Sequence, residues 1–547
     1  MLVLLSIYKV NSLQAKDFYV HNLPLLPNEA CDIRMHAGYL PVDPEHHRTL
    51  FFRHFASKHT SDKPRTVIWL NGGPGASSLV GAWTEIAPFR FQDENTIIEN
   101  NGSWHLFVNL LFIDQPVGTG FSYIDNDSFI HELDEVVNHF VSFLDRYIEV
   151  FPELLQNDIY LAGESFAAQY IPYIAHEILA KRSNLKLRGL LIGNGWIDPV
   201  TIYELYLPFA VANNLVKINS VLYDIISSQV RIWLPEDRQF ELSPIGHSPM
   251  AKVQGCVGEG TVDFRQLTKF QGMYWRKYSG HSPIDESIVE SGIPNQILDN
   301  GAMNNHYTTK TKGRCVNIYD VRFDDTWPHC GRNWSPDIKY LTLYLHRQDV
   351  MSRIHTNGEK SKWTAFEYSI FETFQPYNFK PSIKLLPDLL QKIPILLYSS
   401  EYDLICNYWT TEKMMDTLVW NNGPGFDLGN GTLAPLESWV VDDEPVGLIR
   451  TVHHLSYVFF YNACHMVPYN YARRSRAMLH QFIQLNLSFN ADETTKKNTV
   501  ENMCQSKSRA YKRIASIVFA LIVIITVLTG LAWFVVYKKQ WIGIHIV

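Results

Sequence analysis

The segment from Ile159 to Ala168 constrains this chain more than any other. An apolar run, Ile159 to Ala162, is broken by Gly163-Glu164-Ser165, and a helix-prone run from Phe166 to Ala180 follows. A strand that turns so sharply into a helix needs small residues two positions before and two after the central serine, because strand and helix approach closely there. Gly163 and Ala167 supply them. Such a turn lifts a hydroxyl clear of the sheet, with the N-terminus of the following helix beneath it. Taken alone, Gly-x-Ser-x-Ala also fits an ordinary strand-to-helix turn, so the surrounding segments have to decide.

Those segments alternate. Arg65 to Leu70 reads as a strand running into Asn71-Gly72-Gly73-Pro74-Gly75, and Asn109 to Ile113 as a strand running into Asp114-Gln115-Pro116. Phe129 to Phe151 carries Leu133, Val136, Val137, Phe140, Phe143, Leu144 and Ile148 at helical spacing, which predicts a long amphipathic helix. Leu187 to Ile192, Ile393 to Tyr398 and Leu455 to Phe460 read as further strands, and Arg473 to Phe482 as a closing helix. Strands and helices in alternation predict an α/β fold: a mostly parallel sheet covered on both faces. Between about 200 and 387 the pattern gives way to helices and long polar loops, which predicts a cap inserted over the carboxyl ends of the strands.

Ser165, Asp403 and His465 each lie just past a predicted strand, in that chain order. This is the order of the α/β-hydrolase triad, in which a base takes the serine proton and a carboxylate fixes the tautomer of the imidazole. A single Asp after a strand is usually a helix cap, and a single His usually structural. Three such residues at strand ends, in order, point to nucleophilic catalysis.

With these residues in view, the chain resembles the serine carboxypeptidases, and within them the membrane-bound fungal pheromone-processing branch. The resemblance rests on six stretches: Trp69 to Gly75, Phe112 to Tyr123, Gly163-Glu164-Ser165, Ile192 to Pro199, Asp403 to Asn407 and His465 to Tyr469. It implies Ser165 as nucleophile, His465 as general base and acid, and Asp403 as its orienter. It also implies an oxyanion hole from the backbone N–H groups of Gly73 and Phe166. Asn71, Gly72, Glu85 and Glu164 would hold the free C-terminal carboxylate of the substrate. A carboxylate beside two acids requires those acids to be protonated, which implies an acidic optimum. Without the resemblance, Glu85 reads as a surface acid and Glu164 as a helix N-terminal acid. Cys406 and Met466 are pocket candidates; for Cys406 a buried structural thiol is the alternative. The preference for C-terminal Lys or Arg follows from the branch of the family alone.

The chain also departs from that family. Ala76 stands where a disulfide cysteine is usual, and its usual partner falls near Phe366, so both halves are replaced together. Ala168 replaces a usual Gly, Ser400-Glu401 a usual Gly-Asp, and Cys464 a usual Ser or Gly; the long acidic tract before the span is absent. Seven cysteines, at 31, 256, 315, 330, 406, 464 and 504, include no Cys-x-x-Cys pair and hence no zinc pattern; Cys256 with Cys315 is the favoured bridge. No cofactor or metal is implied. Two other classes fit the same residues: an acyltransferase to small alcohols, and an inactive binding or sorting homologue.

The ends of the chain suggest a compartment. Residues 1–15 read as a short signal peptide. Ile514 to Tyr537 is 24 residues without a charge, between Lys512-Arg513 and Lys538-Lys539, and a bilayer crossing needs about 20. The expected layout is a catalytic domain over 16–489, a stalk over 490–513, a membrane helix over 514–537 and a cytoplasmic tail over 538–547. Sequons at Asn101, Asn126, Asn333, Asn430 and Asn486 favour a lumenal body in a secretory-pathway membrane, for the family's processing branch the trans-Golgi network. A net charge of -7 with interspersed Lys and Arg excludes a nucleic-acid partner. The expected partners are peptide or protein C-termini, and nothing in the sequence sets an oligomeric state.

Overall fold

The computed structural model describes residues 13–485 apart from 28–31, 60, 125–128, 131, 221–222, 225–226, 228–313, 327–330, 332–333, 357–361 and 374–379. The expected stalk, membrane helix and tail lie outside the described residues, as do most of the leader and the sequons at Asn126, Asn333 and Asn486. Among the described residues no helix is long and apolar enough to cross a membrane.

Ten strands form the main sheet: β1 (Met35–Asp43), β2 (Arg48–Phe55), β3 (Arg65–Leu70), β4 (Asn109–Asp114), β5 (Asp158–Glu164), β6 (Lys186–Gly193), β7 (Ile395–Ser400), β8 (Glu437–Val441), β9 (Glu444–Val452) and β10 (Leu455–Phe460). Their spatial order is β1-β2-β4-β3-β5-β6-β7-β10-β9-β8. The six central strands, β4 to β10 in that order, are parallel; the two outer pairs at each edge are antiparallel. This is an α/β-hydrolase-like arrangement. Every residue of β3, β5 and β7 is buried, as expected of parallel strands covered on both faces.

The antiparallel edges are not foreseen from the sequence. β8 and β9 are joined by Asp442-Asp443, both at positive φ, a turn chemistry that asparagine-glycine pairs announce more plainly than two aspartates do. The strand expected from Ile393 begins instead at Ile395. Pro394 has no N–H to give the ladder, so pairing starts after it, and Ser399 and Ser400 become the strand's last residues.

Helix α1 (Ser78–Thr84) follows β3, α2 (Leu133–Val150) follows β4, α3 (Ala167–Lys181) follows β5 and α4 (Pro199–Ala212) follows β6. The periodicity of α2 buries Leu133, Val136, Val137, Phe140, Phe143, Leu144 and Tyr147 against β1 and α3. Phe143, Tyr147 and Phe151 surround Phe52 of β2, with ring centroids 6.0, 5.4 and 5.9 Å away. Each such buried side chain contributes about 1.5–3 kcal/mol, so α2 is fastened by its apolar face rather than by its caps. In the stretch expected as a cap, α4, a short hairpin (Arg314–Val316 with Asp324–Thr326) and helices Ile338–Leu345, Gln348–Arg353 and Tyr368–Thr373 are described. The residues between 228 and 313 are not.

Sheet register sets where function can be placed. Leu70 pairs with Gly163, Glu164 with Gly193, Gly193 with Tyr398, and Ser400 with Phe460, so these strands end level with one another. The segments beginning at Asn71, Ser165, Asn194, Glu401 and Tyr461 therefore all leave the sheet at the carboxyl ends of its parallel strands. β3 and β4 build in one direction and β5 and β6 in the other, and a crevice forms above such a switch point.

Candidate active site

Ser165 has φ +60°, a left-handed conformation that a non-glycine residue holds only where its surroundings over-determine it. Its N–H donates to the Gly193 carbonyl at 3.0 Å, and its own carbonyl accepts from Trp196 N–H at 2.9 Å and Ala168 N–H at 3.1 Å. The turn is also crowded. A Cβ on Gly163 would lie 2.2 Å from the Leu70 carbonyl oxygen and 2.9 Å from the Ala167 Cβ, so the small residues at both positions are a steric requirement. A Cβ on Gly72 would lie 2.4 Å from the Phe166 amide nitrogen. The Gly72-Gly73 loop thus runs against the start of α3 at the Phe166 amide.

Asp403 and His465 meet in a fully buried setting. His465 Nδ1 and Asp403 Oδ2 are 2.6 Å apart, and Asp403 Oδ1 accepts from Cys406 N–H at 3.2 Å. Since Nδ1 faces the carboxylate, the imidazole presents Nε2 on its opposite side. The Cys406 Sγ, an Asp403 oxygen and an imidazole nitrogen of His465 all lie within 4.8 Å of one another, and the Ser165 side chain acts on the same thiol to lower its pKa. Cys406 therefore sits beside both the Ser165 side chain and the Asp403–His465 pair. Burial, followed by the Asp403 charge, pushes its pKa well up, so the thiol stays neutral and offers no competing thiolate. Cys406 and Cys464 are both free and buried.

Asn194 holds this arrangement and carried no individual role in the sequence reading. Its Nδ2–H groups donate to the His465 carbonyl at 2.6 Å and Ser400 Oγ at 3.0 Å, and its Oδ1 accepts from Ser400 N–H at 2.9 Å. The end of β6 is thus tied to the end of β7 and to the His465 loop. The available signal was its place between two glycines at a strand end, where Asn tolerates the positive φ of 41° seen here. Asn194→Ala leaves the Ser400 amide and His465 carbonyl unpaired in a buried site. We expect a cost of about 1–3 kcal/mol, read as a lowered Tm, and a fall in kcat of about tenfold as His465 loosens.

A second cluster adjoins the first. Asn71 Oδ1 accepts from Trp69 Nε1–H at 2.9 Å and Gly81 N–H at 3.1 Å, which fixes the amide orientation and turns Nδ2 to Glu164 Oε1 at 3.0 Å. Glu85, at the end of α1, is fully buried beside Glu164 and Asn71. Neither Glu85 oxygen nor Glu164 Oε2 receives a well-formed hydrogen bond from a fixed protein donor. Two buried carboxyls side by side without such donors favour keeping a proton, because each charge raises the cost of the other. Burial raises both above the ordinary glutamate value, and the neighbouring Glu85 charge raises Glu164 further.

α1 is itself anchored by Asp114, whose Oδ1 accepts from Ser77 Oγ at 2.7 Å and Ser78 N–H at 2.8 Å. Burial pushes this carboxyl up to about 6 against the pull of those bonds. Arg90 then joins the two clusters, donating to the carbonyls of Glu85 at 2.7 Å and Tyr469 at 2.9 Å.

Of the other sequence candidates, Met466 is buried next to His465, and Asn101 and Asn430 are exposed. Ala76 pairs with Phe366 as an isolated β-bridge, flanked by Ser77 N–H to the Ala365 carbonyl at 3.0 Å and Glu367 N–H to the Gly75 carbonyl at 2.8 Å. The two positions expected to have lost a disulfide are thus adjacent, and backbone bonding joins them. Cys256 lies outside the described residues, so the Cys256–Cys315 pairing has no structural counterpart here.

Comparison with known proteins finds similarity over most of the chain. The serine carboxypeptidase family model matches residues 24–485. The pheromone-processing carboxypeptidase of Tuber melanosporum is 41% identical over 490 residues, which is 88% of this chain and 71% of that protein. That of Uncinocarpus reesii is 42% identical over 485 residues, 87% of this chain and 68% of that protein. Among solved structures, a prohormone-processing carboxypeptidase from Saccharomyces cerevisiae superimposes with a TM-score of 0.67 at 28% identity, covering 86% of this chain and 96% of that one.

Proposed function

This chain belongs to the serine carboxypeptidase family, and on that premise we propose that Ser165, His465 and Asp403 cleave the last peptide bond of a substrate whose terminal carboxylate is held by Asn71, Gly72, Glu85 and Glu164. The observation that carries the reading is the buried 2.6 Å contact of His465 with Asp403, with Cys406 beside that pair and Ser165 in a left-handed turn.

Ser165 Oγ attacks the scissile carbonyl carbon while His465 Nε2 takes the hydroxyl proton. The oxygen of the tetrahedral species accepts hydrogen bonds from the amides of Gly73 and Phe166, a contribution of about 2.7–4 kcal/mol per donor to the transition state. His465 returns the proton to the departing amino group as the C–N bond breaks, releasing one amino acid. Water then attacks the acyl-serine by the same route. Asn71 Nδ2 has two hydrogens, one committed to Glu164, and directs the other to the substrate carboxylate. The shared proton on Glu85 and Glu164 turns an otherwise repulsive site into a donor.

The processing carboxypeptidases that this chain resembles motivate the rest of the reading. The substrates are secretory precursors ending in Lys or Arg. The catalytic domain spans 16–489 with its cap over 200–387, is glycosylated at exposed Asn101 and Asn430, and is anchored by 514–537 in a Golgi membrane. The test is to incubate the membrane-extracted full chain with blocked dipeptides ending in Lys, Arg, Leu or Phe at pH 5–6 and quantify the released amino acid. Faster release of Lys and Arg is expected, by about tenfold or more, the effect of one well-placed ion pair. Equal or faster release of Leu and Phe would refute the basic preference while leaving the reaction class intact. Transfer to an alcohol acceptor in place of hydrolysis would move the chain to acyl transfer.

A further inference from the structure

The loops that carry Asp403 and His465 leave different strands, and few bonds join them directly. Tyr402 N–H donates to the Ala463 carbonyl at 3.0 Å, and Asn462 N–H to Glu401 Oε2 at 2.8 Å. Much of the remaining connection comes from residues 318–322, a segment far away in sequence, in the stretch inserted between β6 and β7.

Toward the Asp403 loop, the Ile318 carbonyl accepts from Leu404 N–H at 3.2 Å and Ile405 N–H at 3.3 Å, and Val321 N–H donates to the Tyr402 carbonyl at 3.0 Å. Toward the other loop, the Tyr319 carbonyl accepts from the N–H of His465 itself at 2.8 Å, and the Tyr319 ring packs on the imidazole with centroids 5.1 Å apart. Arg322 closes the strap. It grips the fully buried Asp320 with Nε at 2.8 Å and Nη2 at 2.6 Å, donates from Nη1 to the Asn462 carbonyl at 3.1 Å, and lies 4.4 Å above the Tyr402 ring. One guanidinium thus touches the strap, the Asp403 loop and the His465 loop.

We propose that Arg322, with Asp320 as its buried counter-ion, is a positioning residue that holds the Asp403 and His465 loops in register. A planar fork that binds a carboxylate bidentately, donates to a carbonyl and stacks on a ring has no equivalent in lysine. Without it, the strap's remaining backbone bonds leave the His465 loop free to drift from Asp403. Among the described residues, Arg322 and Asp320 make no hydrogen bond to Asn71, Glu85 or Glu164, the proposed carboxylate site, so substrate binding is expected to be spared. The proposal rests on the reading that Asp403 and His465 serve Ser165; that reading is checked separately, by Ser165-dependent release from the wild type.

The test compares wild type, Arg322→Gln, Arg322→Lys and the two doubles with His465→Ala, all in the full chain, on one blocked dipeptide. Arg322→Gln is expected to lower kcat by about 10- to 100-fold with KM within about twofold, the pattern of a lost transition-state contribution. Arg322→Lys, which keeps the charge on Asp320, should fall between it and wild type, and it carries the test if the Gln variant does not fold. In the His465→Ala background, neither substitution should lower the residual rate by more than about twofold, because a residue that acts through His465 has nothing left to position. Losses that multiply in that background, or a raised KM with kcat intact, would overturn the proposal. Absence of Ser165-dependent release from the wild type would instead sink the underlying reading.

Discussion

The Ser165→Ala chain is expected to release C-terminal amino acids on the order of 10⁶-fold more slowly than wild type, the scale of loss when a serine nucleophile is removed. The change deletes one oxygen. It keeps the left-handed turn, the bonds of residue 165 to Gly193, Trp196 and Ala168, and the packing of α3, so Tm should shift by no more than a few degrees. The measurement is single-turnover release of free amino acid beside a fluorophosphonate label, which should modify wild type and leave the variant unlabelled. The two readouts fail differently. Labelling of the variant would move the nucleophile elsewhere, whereas an unlabelled variant with more than about 1% of wild-type release would mean a route without acyl-serine. Cys406 cannot take its place, because burial and the Asp403 charge keep its thiol protonated.

The second large effect is on pH dependence. Both Glu85 and Glu164 are raised by burial, so the folded protein retains protons at pH values where an unfolded chain has lost them. Stability from this pair is therefore complete below the ordinary glutamate value and is lost as pH rises through the raised folded values. Activity follows the same sign. Once the shared proton leaves, the site repels a substrate carboxylate, and kcat/KM should drop about tenfold per pH unit on the alkaline side.

A Glu85→Gln, Glu164→Gln double variant replaces a titrating pair with amides that donate at every pH. Its alkaline limb should flatten, and its rate at pH 8 relative to its own maximum should exceed the wild-type ratio by about tenfold. The control is a substrate with an amidated C-terminus, for which wild type should show a much shallower alkaline limb. A wild-type rate still rising at pH 8, or an unchanged limb in the double variant, would remove these acids from carboxylate recognition.

Much of this site was legible in the sequence because its rules are local. The Ser165 turn announced itself through Gly163 and Ala167, since a strand-to-helix turn leaves no room for larger side chains at those spacings. Asp403 and His465 were found by their places after predicted strands, and the sheet register that levels those strand ends is a consequence of apolar runs of similar length. Asn71 to Gly75 could be read as a loop of bare amides for the same reason. Failures at the edges were also local in origin. Pro394 delays β7 by two residues, and the Asp442-Asp443 turn lacks the glycine that would have marked a hairpin.

What the sequence could not supply was partnership between distant segments. Glu85 is one acid among 55 acidic residues until the fold buries it beside Glu164, where lost hydration raises the pKa of both carboxyls. Asn194 becomes a tie only when β6, β7 and the His465 loop converge on its amide. Arg322 becomes a clamp only when an inserted segment passes between two loops from different strands. Local sequence determined which elements form and where their reactive residues fall, because propensity and periodicity act over a few residues. Tertiary structure decided charge state and positioning, because burial and hydrogen-bond geometry depend on neighbours that come together only when the whole chain is folded.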